Sequence, residues 1–274
     1  MRESVVDAHV HFWDPSVLRY PWLDALPDLR RAFGPREYAE AAVGVPVRRA
    51  VFVECNCRPE QNAGEVRFAE RVPLVAAIVA FADIAALGPA ALDTLPDSPR
   101  VKGIRQNIQG QPPGFSLAPP FVDGVREAAR RGLTFDLCAT HDQLGEVIEL
   151  VRLCPDARFV LDHCGKPAIR DGAIATWARH LAMFAAHDNV CCKLSGLLTE
   201  ASSPSTDEQL KPYAEQVIAA FGPSRVIYGS DWPVLTLAGT LADWYAFTRR
   251  VTATWSDAER SAFYEDNAVR VYGL

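Results

Sequence analysis

Residues 49–81, RAVFVECNCRPEQNAGEVRFAERVPLVAAIVAF, decide the fold. The flanks, Arg49–Cys55 and Pro73–Phe81, are continuous apolar runs without polar alternation, as expected of parallel strands buried on both faces. Between them Pro59–Arg71 mixes polar and apolar residues at helical period. A strand, a helix and a second strand within about thirty residues make a βαβ unit, because parallel neighbours need a long crossover.

The unit recurs along the chain. Val5–Val10, Val101–Ile108, Leu133–Cys138, Arg158–Leu161, Val190–Leu194 and Arg225–Tyr228 bring the strand-like runs to eight. Helical periods lie between them at Phe121–Arg131, Asp142–Leu153, Ala173–His187, Glu208–Phe221 and Leu241–Val251, with weaker spacers at Arg36–Val43 and Ile84–Leu95. Eight such units fill a barrel of about 250 residues. The expected fold is a single-domain α/β chain, a (β/α)8 TIM barrel over residues 1–274, with a doubly wound open sheet as the alternative. Two Pro/Gly-rich stretches, Gly110–Pro120 and Ala201–Ser205, read as strand-to-helix loops of the C-terminal face, where barrels do chemistry. A last helical stretch, Asp257–Ala268, is expected to close the bottom or pack outside.

Composition narrows the function. The 274 residues carry 28 basic and 34 acidic side chains, a net charge of −6, with 49 % hydrophobic residues. That balance lacks the basic footprint of a nucleic-acid or anionic-membrane binder. The longest apolar run, Leu74–Ala82, is far shorter than the roughly 18–20 residues that span a bilayer. Glu3 and the absence of an apolar core in MRESVVDAHVHFWDP argue against a signal peptide. Seven cysteines, an odd number without CxxC spacing, fit reduced thiols and a cytoplasmic protein. A small-molecule enzyme is expected, and self-association is left open.

Ionisable groups collect where the apolar runs stop. His9 and His11, two apart on a strand, point to one side and can meet one metal ion, or can be satisfied by hydrogen bonds at a strand end. Glu54, Arg105, His163, Lys193 and Asp231 end later strands. Arg105 and Lys193 offer positive charge to a carboxylate, a polyol or a developing oxyanion, or else pair internally with Glu54 or Asp136. Trp13 and Trp232 are either flat surfaces for a sugar ring or core. In Glu54-Cys55-Asn56-Cys57 strand alternation turns the thiols away from the carboxylate, and Cys164 likewise away from His163, so the cysteines read as packing residues rather than nucleophiles.

Several of these stretches resemble the amidohydrolase superfamily, and within it the amidohydrolase-related group of sugar and dicarboxylate lactonases. They are VDAHVHFWDPSVLRYPW (Val6–Trp22), VKGIRQNIQ (Val101–Gln109), RFVLDHCGKP (Arg158–Pro167), KLSGL (Lys193–Leu197) and VIYGSDWPV (Val226–Val234). The resemblance implies a (β/α)8 barrel. It matches His9 and His11 to the first-strand histidine pair, His163 to the sixth-strand histidine and Asp231 to the eighth-strand aspartate, the general base toward water. It implies one divalent cation, zinc foremost, held among His9, His11, His163 and Asp231, or a metal-independent reaction in which the histidines are hydrogen-bond donors; Glu54, at the end of a buried strand, is either a further ligand or a hydrogen-bond orienter. The chain departs from the binuclear members, because the fourth strand ends Gly103-Ile104-Arg105-Gln106-Asn107 and Lys102 sits too early to be their carboxylated lysine. His141 falls late after the fifth strand and is either a mouth residue or exposed.

The reading is thus hydrolysis of a small lactone, a sugar-acid lactone such as a fucono-, rhamnono- or galactaro-lactone or a dicarboxylate lactone, with Asp231 activating water. A metal-dependent decarboxylase of an unsaturated acid and a non-catalytic small-molecule-binding barrel are the alternatives.

Overall fold

The computed structural model describes residues 4–202 and 204–274; Glu3 and Ser203, inside the Ala201–Ser205 stretch, lie outside it. Its eight strands are β1 Val5–Val10, β2 Val47–Val53, β3 Val75–Phe81, β4 Val101–Arg105, β5 Thr134–Leu137, β6 Arg158–Leu161, β7 Val190–Leu194 and β8 Val226–Tyr228. Every neighbour pairs in parallel and in sequence order. The α-helices are α1 Pro35–Ala41, α2 Asn62–Glu70, α3 Ile84–Leu87, α4 Pro119–Arg130, α5 Leu144–Leu153, α6 Ala175–Ala185, α7 Leu197–Glu200, α8 Asp207–Phe221, α9 Leu241–Val251, α10 Asp257–Ser261 and α11 Asn267–Tyr272. This is a (β/α)8 barrel rather than an open sheet, since β1 and β8 meet at the mouth through His11 N–H to Trp232 O at 2.8 Å and Asp231 N–H to His9 O at 2.9 Å. Closure therefore uses the backbone of His9, His11 and Asp231, three of the expected site residues.

Burial separates two apolar layers. Val6, Ala8, Val51, Val53, Ala77, Val79, Val160, Cys191 and Ile227 form an inner cluster with Ala268, Val271 and Tyr272. The larger outer cluster, including Val5, Val10, Phe52, Ile78, Phe135, Trp177 and Trp244, lies between strands and helices. Both strand faces are covered, which is why the runs are continuously apolar. The C-terminal segment settles between its two expected places: α11 plugs the bottom of the barrel, and the Tyr272 hydroxyl reaches inside to Asp136 Oδ2 at 2.9 Å.

The sequence-based spans hold closely for β1, β6, β7 and α9. β3 and β8 also end where expected, at Phe81 and Tyr228, whereas β2, β4 and β5 end earlier than their apolar runs, at Val53, Arg105 and Leu137, because the chain turns into loops there. Among the described residues no helix is long and apolar enough to cross a membrane.

Candidate active site

The first-strand histidines are aimed by a defect in pairing. The β1–β2 register shifts between Asp7 and Val10. Val6 and Ala8 face the barrel interior, whereas Asp7 is bonded to the Tyr38 hydroxyl of α1 at 2.8 Å and to Ser230 N at 2.8 Å. A local bulge changes the parity, so His9 turns inward directly after Ala8, as bulges beside active sites do.

Three imidazoles then surround one carboxylate oxygen. Asp231 Oδ1 lies 3.3 Å from His11 Nε2, 3.8 Å from His9 Nε2 and 3.9 Å from His163 Nε2. The two first-strand Nε2 atoms are 3.2 Å apart. Second partners orient each ring: His11 Nδ1 bonds Val53 O at 2.8 Å, His163 Nδ1 meets Ser195 Oγ at 2.9 Å, and His9 Nδ1 is 3.2 Å from Asp162 Oδ1. Val53 O can only accept, so His11 carries its proton on Nδ1 and turns its Nε2 lone pair to the centre, whereas His9 Nδ1 also lies 3.2 Å from the Lys193 ammonium, a donor, and the Ser195 hydroxyl can donate or accept. Burial lowers His163 to about 4, partly opposed by Asp231, and holds His9 well below the usual range. For Asp231 burial pushes the carboxyl up, but the neighbouring His163, His11 and His9 outweigh it, and its pKa lies below the ordinary carboxylate value.

These donors suit a cation. The Nε2 atoms of His9 and His11 and one oxygen of Asp231 lie close enough together for a single ion to draw on all three. Ligands about 2.0–2.2 Å from a tetrahedral ion sit roughly 3.3–3.6 Å from one another, against 3.2, 3.3 and 3.8 Å among the atoms of His9, His11 and Asp231. His9, His11 and Asp231 form one such group, and His9, Asp162 and His163 a second that shares His9.

Strained backbone holds the constellation. His163 and Asp231 have φ of +51° and +61°, conformations that non-glycine residues adopt at a cost and that cluster at functional sites. Gly196, at φ +70°, lets the turn between β7 and α7 approach the His163 ring, since a Cβ there would lie 2.8 Å from its Cβ, Cγ and Nδ1. We expect Gly196→Ala to displace His163 and cut kcat by as much as about 10²-fold, a typical consequence of a shift of about 1 Å in a reacting group. Steady-state kinetics on folded variant checks this; unchanged kcat would show that the ring can yield.

Beneath the histidines runs a chain of alternating charge that the sequence reading only half anticipated. Glu54 Oε1 accepts from Arg105 Nε at 2.7 Å, and Arg105 Nη1 meets Asp162 Oδ2 at 3.1 Å. Asp162 Oδ1 is 3.0 Å from Lys193 Nζ, which binds Asp136 Oδ2 at 2.5 Å. Burial opposes the Lys193 charge, while Asp136 and Asp162 restore it and raise its pKa; burial lifts Asp136 to about 6.

Several expectations are resolved or corrected here. Arg105 and Lys193, 3 % and 0 % exposed, pair with Glu54 and Asp136, the internal place that the sequence allowed them beside a substrate role. Glu54 is no ligand in either candidate group, because Arg105 holds one oxygen and Asn56 N–H the other at 2.6 Å. Trp13 and Trp232 are buried, not faces for a sugar ring. Trp13 packs on Trp22 and Phe33, with its indole N–H shared between Leu29 O and Arg31 O, and Trp232 packs among Phe12, Phe33 and Tyr38. Cys55 does not turn away from the site: β2 has already ended, and Sγ lies 3.7 Å from His11 Nδ1, a buried thiol whose pKa burial raises. Cys164 does turn away, toward Lys193 O. His141 is half-buried in the loop after β5, outside both candidate ligand groups. Asp162 was the residue missed, although Val160 facing inward two positions earlier signals its direction.

A family model described as amidohydrolase matches residues 6–274. The chain belongs to the amidohydrolase family. Among curated amidohydrolase relatives, it is 34 % identical to an L-fucono-1,5-lactonase of Burkholderia ambifaria over 88 % of this chain and 84 % of that one. An L-rhamnono-gamma-lactonase of Scheffersomyces stipitis is 26 % identical over 64 % of this chain and 59 % of its own. A solved amidohydrolase from Burkholderia multivorans with bound zinc superposes with a TM-score of 0.91 at 28 % identity, covering 99 % of this chain and 100 % of that one.

Proposed function

We propose that this amidohydrolase opens a sugar-acid lactone with water, Asp231 being the base. The observation that carries the reading is a buried carboxylate ringed by three oriented imidazoles at the closing seam of the barrel, in a chain 34 % identical to an L-fucono-1,5-lactonase. Asp231 meets the histidines through Oδ1 and can take the proton of a water on its other oxygen. The water oxygen adds to the lactone carbonyl carbon, the ring C–O bond breaks, and Asp231 returns the proton to the departing ring oxygen. The products are a hydroxyl and a carboxylic acid. Asp162 and Lys193 beside His9, and Ser195 beside His163, hold the two rings in place.

His9, His11 and Asp231 would hold a divalent ion, zinc by analogy with the structural relative, and His163 stands beside them. A carboxylate of depressed pKa is a weak base, so what the ion would supply is Lewis acidity toward the carbonyl and the water. Seven buried free thiols accord with a reducing, cytoplasmic setting.

A pH-indicator assay on sugar lactones tests the reaction: acid release from L-fucono-1,5-lactone or a related 1,4- or 1,5-lactone is expected, and no acid from any of them would reject it. Chelation followed by metal analysis is expected to abolish most of the rate, with zinc restoring it. Full activity of metal-free protein would overturn the cation while leaving Asp231 as base.

A further inference from the structure

We propose that Lys166 and Glu200 form a charge-neutral clamp at the barrel mouth that selects a lactone bearing neighbouring hydroxyls over one that lacks them. The inference rests on the lactonase reading and names the substrate class of that same site. Lys166 follows the β6 turn that carries His163, and its backbone N–H bonds His163 O at 2.8 Å with φ at +45°. Glu200 ends α7, directly after β7, and its carbonyl accepts from Arg170 N–H at 3.1 Å. The turn and α7 are joined by the side chains, Lys166 Nζ to Glu200 Oε1 at 3.0 Å.

Exposure distinguishes this pair from the other charges near the histidines. Its side chains are 17 % and 26 % exposed, whereas those of the Arg105–Glu54 and Lys193–Asp136 pairs are between 0 % and 4 % exposed. Lys166 also sits within reach of the site's charge. Burial lowers its pKa, but Cys138, Glu200 and Asp231 together raise it above the ordinary lysine value, so the ammonium stays charged.

The chemistry of the pair matches a diol. An ammonium has three donors and a carboxylate only acceptors, while a hydroxyl is both donor and acceptor. One substrate hydroxyl can accept from Lys166 Nζ while its neighbour donates to Glu200, and no net charge is needed on the ligand.

Kinetics of Lys166→Met and Glu200→Gln on two six-membered lactones, L-fucono-1,5-lactone and the hydroxyl-free δ-valerolactone, test the clamp. Losing a charge-assisted hydrogen bond to substrate is expected to lower the kcat/KM ratio of fucono- over valerolactone by about 10–100-fold, mostly through KM on the hydroxylated lactone. Rates that fall equally on both lactones, or a ratio that does not move in either variant, would overturn the clamp and leave the lactonase reading standing. Wild-type protein that turns over neither lactone overturns the reading and the clamp together.

Discussion

Asp231→Asn is expected to lower kcat/KM for a sugar lactone by about 10²–10⁴-fold, the usual contribution of a positioned general base. The amide keeps the volume and can still face the imidazoles, so the fold should persist, but it cannot take a proton from water. It also removes the negative charge that His9, His11 and His163 surround. The loss should therefore be accompanied by weaker retention of a divalent ion, which metal analysis reads separately from rate. The acid side of the wild-type profile carries a matching expectation. Because the Asp231 carboxyl lies below its ordinary range and His163 at about 4, both keep their working protonation states from pH 8 down to about 5. Over that range kcat/KM should stay level on their account. A purified, folded Asp231→Asn protein with near-normal rate would refute the role.

Lys193→Met is expected to strike stability rather than substrate affinity. Lys193 is fully buried between Asp136 and Asp162, and its ammonium also lies 5.5 Å from the Tyr272 ring centroid. Removing one member of a buried ion network leaves carboxylates desolvated without their counter-charge, which costs about 3–5 kcal/mol. In a chain of this length that is a fall in Tm on the order of 10 °C. Thermal melts of the single variant and of Lys193→Met with Asp136→Asn check the assignment, since neutralising the stranded partner should recover part of the loss. A normal Tm with a raised KM would return Lys193 to the substrate-binding role that the sequence alone allowed.

The two predictions mark where local sequence stops being informative. Asp231 was legible because it ends an apolar run inside YGSDWP, and strand ends of a barrel face the mouth. Lys193 also ends an apolar run, and nothing local distinguishes a lysine that meets solvent from one enclosed by carboxylates 31 and 57 positions away in the chain. Asp162 was overlooked for the same reason, since its partners His9, Arg105 and Lys193 come from three other strands. Cys55 was misdirected because alternation was extended past Val53, where the strand stops and Asn56 takes a φ of +51°. The Lys166–Glu200 pair, one on the turn after β6 and the other at the end of α7, left no periodic trace at all.

By itself the sequence determined the eight-fold repeat, the parallel strands and the identity of His9, His11, His163 and Asp231 as strand-end groups. Those follow from period, burial on both faces and position along a single run, which are properties of neighbours in the chain. Only the tertiary structure decided which charges cancel, which rings share one carboxylate and which cation still faces solvent. The physical reason is that desolvation and Coulomb energy depend on distances across the barrel, and those are set when β1 meets β8 and the loops close over the mouth.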